Sequence, residues 1–475
     1  MHDLAIEGTV NGHATSSPNA PHSSRQTPSA GHFPSSRRQD RAPRTAALPT
    51  PMPSSARNAH PPGLLVLCLA ELCERFAGCL FLSLLVLYLT ERAGLSSSAA
   101  IRQVGWLNAG GYVASLAGAW LIDRGVRALH AALLGGALLC IGYLVLAPTS
   151  HATWGAAYAA LALGGGLFRA AITLLLTTQY AKSSPLRDAG HLWLWGAVNV
   201  GGAAAPLFAS GIGAVRAWPT ALGAAATAMT LCVSILWLGR ARLRCTDDPL
   251  TRQRLPAPRH DDAMYAEPTS AARVVILASL SLLIYMVAYG QLDGTLLLWA
   301  RDHTDRSLLG MILPASSFAA LPALLVLLQG PLVLALVRRL RMGRHKDNDF
   351  AQLRIGLLSV ALACSVMLIA SLRLPSVPQQ SPLWLLACFA LLVLGELLIA
   401  PLGLALMTRV VAPRHVGLVS GLWYAVMAAG FVLAGEFGSL LQRAPKWACF
   451  ALLAGVSIVV AAGLRKHDVA PGSRD

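Results

Sequence analysis

Charged residues are scarce: they make up 13% of the 475 residues, about half the share of an ordinary soluble domain. That scarcity excludes a string of water-exposed domains. The hydrophobic 55% is gathered into long charge-poor stretches between Gly63 and Leu464, more apolar surface than buried cores need. Several motifs are missing as well. Without a GxxxxGK[ST] loop an ATP-driven pump is not expected, and without HExxH or GxSxG neither is a metalloprotease or an ester hydrolase. The polar segments are too short to hold a catalytic domain, so an enzyme is not expected. No CxxC pair and no Cys/His cluster stands at metal-ligand spacing, and no metal or cofactor is expected. The nine cysteines (Cys68, Cys73, Cys79, Cys140, Cys232, Cys245, Cys364, Cys388 and Cys449) fall mostly inside apolar stretches and read as small apolar residues.

What is present is a series of apolar segments, each long enough to cross about 30 Å of hydrocarbon, which takes roughly 20 residues. They lie near 63–89, 101–122, 128–148, 152–180, 191–213, 217–239, 272–300, 311–337, 350–371, 382–408, 416–440 and 446–464. Runs this long and apolar exclude a β-barrel. The fold predicted is an all-α polytopic membrane protein with twelve transmembrane helices in two six-helix bundles, residues 63–239 and 272–464. A polar linker, 240–271, joins them and carries Arg240, Arg242, Arg244, Arg252, Arg254 and Arg259. Residues 1–62 are rich in Ser, Pro, Ala and His, lack a signal-peptide core and read as a disordered tail or partly as a start-site artefact ahead of Met52. Residues 465–475 form a second short tail.

The formal net charge of +16 raises nucleic acid as a partner. The basic residues, however, sit in short clusters between apolar stretches and not along one face of a domain, so the partner expected is the lipid bilayer and no nucleic acid. One side of the membrane collects Arg124, Arg127, Lys182, Arg187, the linker arginines, the run Arg338, Arg339, Arg341, Arg344 and Lys346, then Arg409, Arg414, Arg465 and Lys466. The other has Arg92, Arg102, Arg216, Arg301, Arg306, Arg373, Arg443 and Lys446. By the positive-inside rule both termini are cytoplasmic, in a plasma (inner) membrane. Two halves around a basic linker suit a secondary transporter with its site near the midplane.

Ionisable groups inside spans cost about 2.5–3.5 kcal/mol each on insertion scales, so each needs a partner or a purpose. The first span holds three, Glu71, Glu74 and Arg75, at spacings of three and four residues that place Glu71 beside both others on one helix face. One arginine neutralises one carboxylate. The other is expected to bind a proton, because burial and a neighbouring like charge both favour the neutral carboxyl; the alternative is a buried pair that only locks helices together. Arg169 in the fourth span, Glu396 in the tenth and Asp293 in the seventh add opposite charges from both halves. Arg169 is a candidate partner of Glu71 or Glu74, and Glu396 a candidate contact for a cationic substrate group. Asp293 is a possible site residue, or a solvated group near a helix end. Asn199 needs a hydrogen-bond partner in its apolar span, either a substrate or a neighbouring helix. Pro206, Pro314, Pro322 and Pro401 are candidate interruptions.

With these residues the chain resembles the proton-dependent oligopeptide transporter family, a branch of the major facilitator superfamily. The family's ExxERF motif stands as Glu71, Glu74, Arg75 and Phe76, followed by LVLYL at 85–89. Further matches run in order: Tyr112, LIDR at 121–124, GLFR at 166–169, RDAG at 187–190, Asn199 with Gly201, TDRSLLG at 304–310, PAS at 314–316, LGEL at 394–397 with Pro401 and Gly403, and GLW at 421–423. The resemblance implies proton-driven uptake of di- and tripeptides or peptide-like molecules by alternating access. It implies proton coupling by Glu71, Glu74 and Arg75 together with Arg169, which replaces a fourth-helix lysine and offers a planar fork where the family has a point charge. It also implies substrate contacts at Tyr112, Asn199, Gln291, Glu396 and Trp423, with Glu396 at the peptide amino terminus.

The departures fall in the expected cavity. After ERF the family has a tyrosine pair and then an arginine, where this chain has Gly78, Cys79 and Leu82. The seventh-helix glutamate before Gln291 is Gly290. A pair that resembles the family's gating salt bridge is thereby lost, and with it an arginine linked to the peptide carboxylate; Asp293 lies one turn from Gly290 as a partial substitute. The leading expectation is therefore a symporter of peptides or a related small amphipathic compound. The alternatives are a divergent exporter or importer of an amine-containing metabolite and a non-transporting membrane receptor.

Overall fold

The computed structural model describes residues 59–147, 153–180, 184, 186–212, 217–243, 268–308, 310–343, 349–412 and 415–465. The predicted tails up to residue 58 and from Lys466, the linker over 244–267 with its arginines and Cys245, and Lys182, Arg216, Arg344, Lys346 and Arg414 lie outside the described residues.

Helices account for nearly all of what is described. They are α1 (Gly63–Glu91), α2 (Ser97–Asp123), α3 (Ala128–Leu146), α4 (Trp154–Gln179), α5 (Arg187–Gly211), α6 (Ala217–Gly239), α7 (Pro268–Tyr289), α8 (Thr295–Asp302), α9 (Leu321–Gly343), α10 (Asp349–Arg373), α11 (Leu383–Val410), α12 (Val416–Leu441) and α13 (Lys446–Arg465). In lipid every backbone donor and acceptor must be satisfied within the segment, which leaves helix as the solution for runs of Leu, Ala and Val. Eleven helical segments of the described chain are long and apolar enough to cross a membrane. With α2, long enough at 27 residues but carrying Arg102, Gln103, Asn108 and Ser115, they supply the twelve spans predicted. The protein is an all-α, multi-pass membrane protein. Sharp reversals join the first helices: Gly94 at φ 71° follows α1 and Gly125 at φ 108° follows α2, a backbone region open to glycine. Ser96 caps α2 by accepting a bond from the Ala99 amide.

The seventh span is not the continuous helix that its apolar run over 272–300 predicts. It breaks after Tyr289 and restarts at Thr295. Through the break the backbone tightens to three-residue bonds, Gln291 N to Ala288 O at 3.2 Å and Leu292 N to Tyr289 O at 2.9 Å. Two glycines, Gly290 and Gly294, bracket a polar turn holding Gln291 and Asp293, and this loss of helix propensity is the local cause. The prolines act less than expected, since α5 runs through Pro206 and α11 through Pro401. The eighth span opens with a 3-10 turn, Ala315–Ala320, behind Pro314. Before it a short hairpin pairs Ser307–Leu308 with Met311–Ile312.

Two buried apolar clusters organise the packing. One is built from α1 and α3 to α6 with parts of α2; the other from α7, α10, α11, α12 and α13 with the 3-10 turn. The α2 helix packs on α4 and along α12, and α5 packs on α1, the 3-10 turn and α9, so α2 and α5 carry contact between the two groups. Ser98 Oγ donates to Ser439 O at 3.3 Å, and the Ser210 and Ser317 hydroxyls are 2.8 Å apart. The eight described cysteines are all free.

Candidate functional site

Glu71 and Glu74 are buried, 7% and 8% exposed, on a helix that also buries Leu67, Ala70, Cys73, Ala77 and Leu80. Arg75 lies between the two carboxylates: its Nε is 3.0 Å from Glu74 Oε2 and 3.7 Å from Glu71 Oε1. Arg75 Nε, Glu74 Oε2 and Glu71 Oε2 are buried without a hydrogen bond. One cation is thus shared by two acids, nearer to Glu74. Gly201 sets α5 against this cluster; a Cβ there would sit 2.5 Å from Leu72 O and 3.1 Å from the Arg75 Cβ, the close approach that small residues permit between membrane helices.

Arg169 does not reach these acids. Its Nη1 donates to Ser115 Oγ at 3.4 Å, and its Cζ lies 4.8 Å above the Tyr112 ring, a cation–π placement. Tyr112 in turn stacks on Phe431 at 5.5 Å and faces Tyr424 at 6.4 Å. The fourth-helix cation is therefore held on an aromatic surface made jointly by α2 and α12.

Asn199 is buried, and its Nδ2 donates to Trp195 O at 2.9 Å, a bond within its own helix that leaves the amide oxygen and a second N–H. Gln291 is 2% exposed. Its Nε2 donates to Val287 O at 2.8 Å and to Ala434 O at 3.0 Å, and its Oε1 accepts from Thr295 Oγ1 at 2.7 Å. It ties both sides of the break to α12. Trp423 is 3% exposed, with its ring over Gly403, where a Cβ would meet Cη2 at 2.5 Å. Glu396 is half-buried, and its Oε2 has no hydrogen-bond partner; neither has the buried Tyr285 hydroxyl. Tyr285 and Tyr289 lie 5.4 Å apart. Asp293 is half-buried within the break. Ser115, Tyr285, Tyr424 and Phe431 escaped sequence reasoning, since an isolated aromatic or serine in an apolar run carries no periodic signal.

At the altered first-helix positions, a Cβ on Gly78 would meet nothing nearer than the Tyr143 hydroxyl at 4.0 Å. Cys79 and Leu82 pack against the first apolar cluster.

Residues 130–250 and 262–452 match the POT family. The chain belongs to the POT family. This family member is 24% identical over 415 residues to dipeptide and tripeptide permease A of Erwinia pyrifoliae, covering 78% of the chain and 84% of the permease. It is 26% identical over 447 residues to peptide transporter YePEPT of Yersinia enterocolitica, covering 80% and 88%. Its fold is that of a crystallised mutant of the peptide transporter POT in complex with alafosfalin, at TM-score 0.75, 22% identity and 85% and 94% coverage. A POT family transporter in complex with 5-aminolevulinic acid shares it too, at TM-score 0.74, 18% identity and 86% and 96% coverage. The protein is a membrane transporter of this family and not an enzyme.

Proposed function

We propose that this POT family member is a proton-coupled symporter of di- and tripeptides or peptide-like small molecules in the plasma membrane. It works by alternating access between two six-helix halves, 63–239 and 272–464, with both termini cytoplasmic. The observation that carries the reading is the buried set Glu71, Glu74 and Arg75, in which one cation serves two carboxylates 3.0 Å and 3.7 Å away. A group so placed gains and loses a proton as its surroundings open and close, and Arg169, on its aromatic perch, is within the same half to exchange partners. Burial inside a membrane helix makes such a set costly unless it is used. The relatives named for dipeptide, tripeptide and peptide transport supply the substrate class.

Tyr112, Asn199 and Glu396 are the substrate contacts proposed, with Glu396 receiving an amine. Gln291 and Trp423 shape the cavity wall: Gln291 is saturated by protein groups and Trp423 is buried over Gly403. A second reading, amine compounds that lack a carboxylate, is favoured by Leu82 and Cys79 packing into the apolar cluster where the family presents an arginine and a tyrosine. Proteoliposome uptake of labelled dipeptides with and without an inward proton gradient tests the proposal. Accumulation only with the gradient supports it, and gradient-independent equilibration overturns proton coupling.

A further inference from the structure

Two carboxylates of the second helix group, Glu396 and Asp293, make no ion pair among the described residues. The cations of the candidate site are engaged elsewhere, Arg75 by Glu71 and Glu74, and Arg169 by Tyr112 and Ser115. Asp293 has a neutral partner, the side-chain amide of Asn108, whose Nδ2 also donates to Val104 O at 3.2 Å. Glu396 Oε2 has no hydrogen-bond partner. Beside it stands a second group in the same condition. Tyr285 is 2% exposed, its hydroxyl is without a partner, and the charge of Glu396 acts on it. Tyr289, 5.4 Å from Tyr285, links the two acids, because the charges of Glu396 and of Asp293 both act on its phenol. The break reaches the aromatic surface as well: Phe431 stacks on Tyr112 at 5.5 Å, and its Cδ1 is 3.4 Å from a Cβ placed on Gly290. Asp293 follows three residues later, and Asn108 lies one turn before Tyr112 on α2. Both acids are only half-buried. An ionisable side chain within a span turns its open side to the interior of the bundle and not to lipid.

We propose that Glu396 and Asp293 form a two-cation site, in which Glu396 takes the amino group of the substrate and Asp293 a second cationic group. The favoured substrates are then peptides or amines with two positive charges, such as a dipeptide that carries a lysine side chain. This deepens the amine reading at Glu396 and rests on it. A carboxylate inside a span without a cation is costly; a dication relieves that cost at two places and a monoamine at one. An ammonium also suits the unpartnered atoms at the first place, since its three N–H groups can serve Glu396 Oε2 and the Tyr285 oxygen together. At the second place the Asn108 amide positions Asp293 and leaves its charge intact. The charge balance agrees. Four carboxylates, Glu71, Glu74, Asp293 and Glu396, stand against two guanidinium groups, Arg75 and Arg169, and the acids in excess are the two that have no cation.

The test reads binding, without a gradient, so that it is independent of proton coupling. Isothermal titration of the full chain in lipid nanodiscs compares alanyl-lysine with alanyl-norleucine, which has the same four-carbon side chain and lacks the ammonium, and with alanyl-alanine. Alanyl-lysine is expected to bind about tenfold more tightly than alanyl-norleucine, the factor that one hydrogen-bonded charge pair supplies. In Asp293→Asn the ratio of the two is expected to fall to about one, and in Asp293→Glu to be largely kept. Glu396→Gln is expected to weaken all three peptides, because each presents an amino group. Equal binding of alanyl-lysine and alanyl-norleucine to the parent chain overturns the proposal without recourse to any variant, and leaves the peptide reading in place. A lysine preference that persists in Asp293→Asn overturns the assignment of the second cation to Asp293. If none of the three peptides binds, the peptide reading falls and this inference falls with it.

Discussion

Gly290 and Ala434 meet with no room for a side chain between them: a Cβ on Gly290 would lie 2.5 Å from the Ala434 Cβ, and 3.2 Å from Met286 O. The absence of an acid at position 290, where the resemblance implies one, is thus built into the packing of this turn on α12 and is not a surface change. The space that such a side chain would fill is taken by Ala434, with Phe431 Cδ1 at 3.4 Å.

Reinstating the acid is consequently expected to harm the protein. Gly290→Glu adds volume to a filled contact, which costs about 1–3 kcal/mol, and places a carboxylate among apolar groups. Gly290→Ala alone is expected to lower the unfolding midpoint, and Ala434→Gly in the same chain to recover part of the loss. Thermal unfolding followed by tryptophan fluorescence checks this; a Gly290→Ala variant as stable as the parent would show that α7 and α12 separate without cost.

Much of this architecture was legible in the sequence, because the signal for a membrane helix is a length of apolar residues that lipid enforces. The spans near 63–89, 217–239 and 446–464 become α1, α6 and α13 with ends that agree within two residues. What escaped was the break in the seventh span. Hydropathy averages over Gly290 to Gly294, and the residues that hold the break, Gln291 with Thr295 and Ala434, are joined across 143 positions of chain. The charged residues of the candidate site were visible for the same reason as the helices: a Glu or Arg in an apolar run stands out. Their pairing was only partly visible. Helical spacing brings Glu71, Glu74 and Arg75 together, but nothing local places Arg169 over Tyr112, which depends on how α2 and α4 cross.

Glu74 is the carboxylate nearer Arg75, at 3.0 Å, and its neutralisation should uncouple transport from the gradient. In Glu74→Gln, gradient-driven accumulation is expected to vanish while exchange of substrate across the membrane continues in part. Uptake and counterflow in the same proteoliposomes measure both. Undiminished uphill accumulation would remove Glu74 from the coupling.

The Arg169 guanidinium makes two contacts that an alanine side chain cannot, one with Ser115 Oγ and one with the Tyr112 face. Arg169→Ala is expected to abolish transport with the protein still folded in the membrane, and Arg169→Lys to retain part of it, because an ammonium keeps the cation–π attraction and loses the fork. Tyr112→Leu is expected to weaken transport less than Arg169→Ala does. Normal uptake by the alanine variant would dissociate Arg169 from the coupling mechanism.

Specificity follows from which charges are already engaged. Arg75 is shared by Glu71 and Glu74, and Arg169 is held by Tyr112 and Ser115. Leu82, where the resemblance implies a further first-helix arginine, packs into the apolar cluster, and Gly78 has open space in front of it. On the opposite side Glu396 keeps a carboxylate oxygen without a hydrogen-bond partner. In the proposed site a substrate amine would meet a carboxylate oxygen that has no protein partner, whereas a substrate carboxylate would have to draw a cation away from its existing partners. Discrimination is a difference of two affinities, and here the carboxylate contributes little to either. Dipeptide amides and other amines without a carboxylate are expected to inhibit uptake at least as well as the free dipeptides, and Glu396→Gln to weaken both alike. Competition assays that pair each dipeptide with its amide measure the ratio. A preference of tenfold or more for the free acid, about 1.4 kcal/mol, would mean that Arg169 leaves Tyr112 to bind the carboxylate, and Arg169→Lys would then reduce that preference more than it reduces uptake of the amide.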